Sequence, residues 1–241
     1  MALQFLGFQK RLLALTSFQS GSVKKAVSTN ADFLLSVENK NRCVECMKKT
    51  PALGINLKQT KLERASAAVL IPICIDDKGE TSILYTRRSG HMSRHMRQIA
   101  FPGGIRDTSD ADFIECALRE TEEEIGLPRD LVEIWGTGKL LTPPHTAAIM
   151  PVFGTVKNFN MDQLNLNTAE VEEAFAIPIS SLVTPGAQKY TQFKSGYSSP
   201  VFLVNKYRIW GITGHLTHRF LNCFIPRDQK SLVKYIKPFK H

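Results

Sequence analysis

Nine consecutive residues, Ala67-Ala68-Val69-Leu70-Ile71-Pro72-Ile73-Cys74-Ile75, contain no polar side chain. A strand wetted on one face alternates apolar with polar residues, so an unbroken run of this length belongs to a sheet covered on both faces. That requirement calls for layers of helix above and below. Asp76-Asp77-Lys78-Gly79 then supplies a turn, and Ser82–Thr86 returns as the second strand of a hairpin.

Further strands are expected near Ile99–Phe101, Val132–Trp135, Lys139–Leu141, Ile149–Val156 and Glu170–Pro178, with a late hairpin from 201–204 and 208–210. Phe113, Ala117, Leu118, Thr121 and Ile125 recur at helical intervals, with Ser109 or Asp110 as the N-cap and Gly126 as the left-handed residue that ends the helix. A second helix is read over Gly211–Phe224, and a short one around Phe33–Met47. Strands before, around and after a central helix give an α/β layered sandwich with a mixed sheet.

The central helix ends in Arg119-Glu120-Thr121-Glu122-Glu123-Glu124-Ile125-Gly126-Leu127. A helix C-terminus carries roughly half a negative charge, so each carboxylate there costs about 0.3–1 kcal/mol. Glu120, Glu123 and Glu124 also share one face through their i,i+3 and i,i+4 spacings. Arg119 offsets part of this repulsion. Hard divalent cations, which take oxygen ligands and bridge to substrate phosphates, are the natural remedy for the rest.

The 241 residues suit one catalytic domain with extensions. A net charge of +9 spread over the fold would suggest nucleic acid. It is confined to the ends: residues 1–64 carry +7 and residues 225–241 carry +4, leaving −2 for residues 65–224. No nucleic-acid partner is expected. Residues 1–31 are basic and lack acids, with apolar residues that can form an amphipathic helix, and read as a mitochondrial transit peptide or disordered leader. Residues 32–64 form a lysine-rich lead-in and 225–241 a basic tail. No apolar run approaches the roughly 20 residues of a membrane span. Five cysteines, an odd number, argue against a disulfide framework, so Cys43, Cys46, Cys74, Cys116 and Cys223 are expected as reduced thiols.

Gly103-Gly104, a loop and a helix ending R-E-x-x-E-E-x-G-L resemble the Nudix box of the Nudix hydrolases. From Gly104 to Arg119 the chain is one residue longer than the strict spacing. Ala111, flanked by Asp110 and Asp112, stands where the first box glutamate belongs. Leu84-Tyr85-Thr86-Arg87-Arg88-Ser89, followed by Arg94 to Gly104 with Phe101-Pro102-Gly103-Gly104 at its end, is similar to the second signature of the coenzyme A diphosphatase branch. Arg97 replaces a glycine of that signature. Pro200–Leu203 and Arg208–Gly211 extend the likeness over roughly residues 66–224.

The resemblance implies a Nudix fold, an α/β/α sandwich with a mixed β-sheet. It implies cleavage of the pyrophosphate bond of coenzyme A and acyl-coenzyme A to 3′,5′-ADP and (acyl-)4′-phosphopantetheine. Glu120, Glu123 and Glu124 would hold Mg²⁺ or Mn²⁺, Glu123 and Glu124 would serve catalysis, and Arg119 would orient them. Glu170 or Glu173 is a weaker candidate for the base. Arg87, Arg88, Arg94, His95, Gln98, Gly103 and Gly104 would bind the substrate's phosphates. Two alternatives remain open: a Nudix pyrophosphatase for another nucleoside diphosphate derivative such as ADP-ribose or NADH, and a degenerate, non-catalytic binding domain.

Overall fold

The computed structural model describes residues 31–50, 66–91, 96–143, 147–192 and 198–226. The expected leader before Ala31, the lead-in over 51–65 and the tail beyond Pro226 lie outside these residues. Helices α1 (Ala31–Leu34) and α2 (Val37–Lys49) come first. The Ser36 side chain caps α2 by accepting from the Asn39 N–H.

Strands β1 (Ser66–Ile75) and β2 (Thr81–Arg88) form the expected antiparallel hairpin. β3 (Ile99–Ala100) pairs with β2, and β4 (Gly103–Ile105), not anticipated from the sequence, pairs with β1 through Gly103 and Val69. Helix α3 (Phe113–Ile125) follows, then β5 (Val132–Thr137) and β6 (Ala148–Val156). β6 runs parallel to β1 and antiparallel to β5. β7 (Val171–Pro178) lies antiparallel to β2 and leads into α4 (Ile179–Leu182). A separate sheet holds β8 (Gln188–Gln192), β9 (Ser198–Val204) and β10 (Tyr207–Ile209), and α5 (Gly211–Phe224) ends the described chain. The expected strand over Lys139–Leu141 reduces to one bridge, between Leu141 and Ile149.

The apolar run divides its side chains between two cores. Ile71 and Ile73 pack with Cys43, Val44 and Met47 of α2 and Phe220 and Phe224 of α5. Ala68, Leu70 and Cys74 pack with Cys116, Ala117, Leu118 and Ile125 of α3. The mixed seven-stranded sheet thus lies between helices on both faces, the α/β/α sandwich expected. Helix α2 belongs to this packed unit, since Leu34, Cys43 and Met47 are buried in the same core as α5.

The expectation of reduced cysteines is corrected at one pair. Cys46 and Cys223 form a disulfide between α2 and α5, with a Cα–Cα distance of 5.4 Å and 177 residues between them in sequence. An odd count rules out only complete pairing, and the packing of α2 on α5 brings these two together. Closing so long a loop removes about 5 kcal/mol of chain entropy from the unfolded state. Cys43, Cys74 and Cys116 are free and buried, and burial pushes their thiols up to about 12, 12 and 11.

Helix α3 ends as the sequence requires. Gly126 has φ +66, and its N–H bonds to the Glu122 carbonyl at 2.9 Å. A Cβ there would also press on Asn165. Gly126→Ala is therefore expected to cost about 1–3 kcal/mol in urea unfolding; an unchanged midpoint would show that the left-handed turn is not needed.

Candidate active site

The glutamates of α3 are divided between two arginines. Arg129 meets Glu115 at 3.2 Å and Glu122 at 3.0 Å on the outer side. Arg119 serves the inner side. Its Nη1 lies 3.0 Å from both Glu120 Oε1 and Glu123 Oε2, while Nε and Nη2 form a two-pronged grip, 2.9 Å each, on the Asp110 carboxylate. Nη2 also donates to the Ile105 carbonyl at 3.2 Å. Hydrogen bonds from Arg119 hold the Asp110 carboxyl well below the usual carboxylate range, against the cost of its burial.

This corrects the expected cap. Asp110 is committed to Arg119 and to the Asp107 N–H, so Asp112 takes the N-cap, accepting from the Ile114 and Glu115 N–H groups at 2.8 and 2.9 Å. Sequence reasoning missed Asp110 as a site residue. The available signal was its place beside Ala111, nine residues before Arg119.

Among the described residues Glu124 has no comparable cation. It is 4 % exposed, accepts from the Gly103 N–H at 3.2 Å, and has Arg88 Nη1 3.9 Å away. Burial pushes its carboxyl up to about 7, with the charges of Glu120 and Glu170 adding to the rise. Burial also raises Glu120 despite the pull of Arg119. The two glycines make this crowding possible. Gly103 has φ +145 and its missing Cβ would strike the Ala68 carbonyl; a Cβ on Gly104 would land on the Glu120 carboxylate.

Beside these glycines opens a chamber of about 460 Å³, walled by Val69, Phe101, Ile149, Trp210 and Leu216, with Arg88 the one charged lining residue among the described residues. Gln98 lines it too. Arg87 turns the other way on β2, as alternate strand residues do, and pairs with Glu172 at 3.3 Å and Glu173 at 3.0 Å. Arg94 and His95 lie outside the described residues. Arg97 has φ +56, a region that glycine enters freely and other residues occupy at a cost of about 1 kcal/mol.

Glu173, one of the two weaker base candidates, is occupied elsewhere. Lys206 and Tyr207 donate to it at 2.9 and 2.7 Å, and with Arg87 they outweigh burial and hold its carboxyl below the usual range. Glu170 sits on the turn whose Asn167 N–H bonds to the Glu124 carbonyl at 3.0 Å, and its charge bears on both Glu120 and Glu124.

Among the described residues no three acidic, histidine or cysteine side chains converge into a ready-made ion cage. The donor chemistry nevertheless suits a hard divalent cation: Glu120 and Glu124 are neighbouring oxygen donors whose carboxyls are raised first by burial and further by the surrounding carboxylates.

Residues 64–195 match a family model described as the NUDIX domain. Over 197 residues the chain is 36 % identical to the protein named mitochondrial coenzyme A diphosphatase NUDT8, both from Mus musculus (80 % of this chain, 90 % of the relative) and from Homo sapiens (80 % of each). It is 33 % identical to Nudix hydrolase 3 of Caenorhabditis elegans over 191 residues, 71 % of this chain and 79 % of that protein.

Two outcomes test this geometry. A carboxyl raised in the folded state contributes stability that is complete below the ordinary carboxylate pKa and lost as pH rises through about 7. In chelator, wild type should therefore lose on the order of 2–3 kcal/mol relative to Glu124→Gln between about pH 4.5 and 7.5; parallel urea-unfolding profiles for the two proteins would refute the buried, uncompensated carboxyl. Asp110→Asn should cost about 2 kcal/mol at neutral pH by loosening the grip on Arg119, a loss visible in the same unfolding assay and absent if Asp110 is merely a surface charge.

Proposed function

The chain belongs to the Nudix family, and from that membership we propose that it cleaves the pyrophosphate of coenzyme A and acyl-coenzyme A, releasing 3′,5′-ADP and (acyl-)4′-phosphopantetheine. The observation that carries this reading is the buried Glu124, held against the N–H of Gly103, a glycine that lines the chamber together with Arg88 and Gln98. The names of the two mammalian relatives support the substrate. They also support a mitochondrial location.

Glu120, Glu123 and Glu124 would hold Mg²⁺ or Mn²⁺, which when bound neutralises the diphosphate and lowers the pKa of a bound water. Arg119 keeps Glu120 and Glu123 on one side of α3 and ties them to the loop through Asp110. Arg88 and Gln98 bind phosphate oxygens at the chamber wall. Glu170 takes the proton from the attacking water, a role for which Glu173 is too heavily paired. The water oxygen bonds to one phosphorus, the bridging P–O bond breaks, and each product leaves with its own phosphate.

A substrate panel with Mg²⁺ or Mn²⁺ and product identification tests the proposal. Coenzyme A should be turned over in preference to ADP-ribose and NADH, and Glu124→Gln should lower that turnover by about a hundredfold or more. Preference for ADP-ribose would move the substrate assignment, and an unaffected Glu124→Gln would remove α3 from the chemistry.

A further inference from the structure

Beyond Gln98, Ile99 and Trp210, which it shares with the apolar chamber, lies a second recess of about 380 Å³. Its wall gathers four cations, Arg87, Arg97, Lys206 and Arg208. Two carboxylates neighbour them: Glu172 lies 3.3 Å from Arg87 and 3.8 Å from Arg97, and Glu173 pairs with Arg87 and Lys206. The recess therefore keeps an excess of positive charge. Arg208 has no ion pair among the described residues; its guanidinium lies 5.6 Å from the Trp210 ring centre, on the wall common to the two spaces.

Lys206 and Arg208 belong to the β9–β10 hairpin, which lies after residue 195 and outside the matched family model. The hairpin is fixed to the central sheet rather than loose. Tyr207 stacks flat on Phe175 of β7 with ring centres 3.6 Å apart, and its hydroxyl donates to Glu173. The cations are thus carried on a rigid support beside β3.

Coenzyme A carries two anionic centres, its diphosphate and its ribose 3′-phosphate. The acidic face of α3 serves the first. Among the described residues the chamber has one charged lining residue, Arg88, whereas the recess gathers four cations. We propose that the recess formed by Arg87, Arg97, Lys206 and Arg208 receives the 3′-phosphate, and that Arg208 and Lys206 set the preference for 3′-phosphorylated substrates. This assignment rests on the coenzyme A reading above. A guanidinium without a carboxylate partner can meet phosphate oxygens with two parallel N–H donors.

The test compares kcat/KM for coenzyme A and for dephospho-coenzyme A, which lacks only the 3′-phosphate, in wild type, Arg208→Ala, Lys206→Ala and Arg208→Lys. It is paired with the affinities of each protein for 3′,5′-ADP and 5′-AMP. Wild type should favour the 3′-phosphorylated member of both pairs, each alanine variant should lower those ratios by about tenfold, and Arg208→Lys should restore part of the loss. Both readouts are ratios within one protein, so a fall in folded fraction does not imitate the effect. Ratios untouched by the alanine variants, or a wild type that cleaves coenzyme A without discriminating against the dephospho form, would overturn the recess assignment alone. A wild type that cleaves neither coenzyme overturns the coenzyme A reading and the recess assignment with it.

Discussion

One guanidinium makes the acidic end of α3 compatible with a folded protein. Arg119 reaches Asp110 in the loop, Glu120 and Glu123 on its own helix and the Ile105 carbonyl at the end of β4. Those contacts join three segments that the sheet alone does not hold together. Without them, carboxylates would crowd a helix terminus that already bears negative charge. With them, Glu124 is left as the most deeply buried carboxylate of the cluster, next to the Gly103 amide with Arg88 3.9 Å away, while its neighbour Glu120 is raised as well. The local fold thus gathers buried carboxylate charge at one end of α3.

Much of this was legible in the chain because it rests on periodicity. The run from Ala67 to Ile75 announced a doubly covered strand, and its residues do divide between two helical layers. The spacing of Phe113 to Ile125 and the position of Gly126 marked α3 and its C-terminal end, while its start was placed two or three residues before Asp112. The glutamate cluster pointed to the acidic face and to the need for a cation. Legibility failed where a residue's role depends on a partner distant in sequence. Asp110 looked like a cap because caps are local, whereas its partner Arg119 is reached through the loop's return. Cys46 and Cys223 gave no sign of pairing because nothing local foretells that α2 lies along α5. β8, whose residues Gln188 to Gln192 lack apolar alternation, is a strand only by virtue of β9.

The walls of the chamber show the same division. The glycines, Arg88 and Gln98 come from one continuous stretch that sequence motifs could identify. Trp210, Ile212, Thr213 and Leu216 come from the start of α5, more than a hundred residues later, and close the other side. A cleft made from an early loop and a late helix depends on the packing of α5 against β9 and α2. The stability of that outer layer therefore bears on the shape of the chamber as well as on the fold.

The bond between Cys46 and Cys223 has a topological result. Every described element from β1 to most of α5 lies inside a covalent ring closed by that bridge. A protease that severs the backbone once within this ring opens it without separating the pieces, and the halves stay tethered at the layer that faces away from α3. Damage to a surface connection is thereby kept from becoming loss of a fragment.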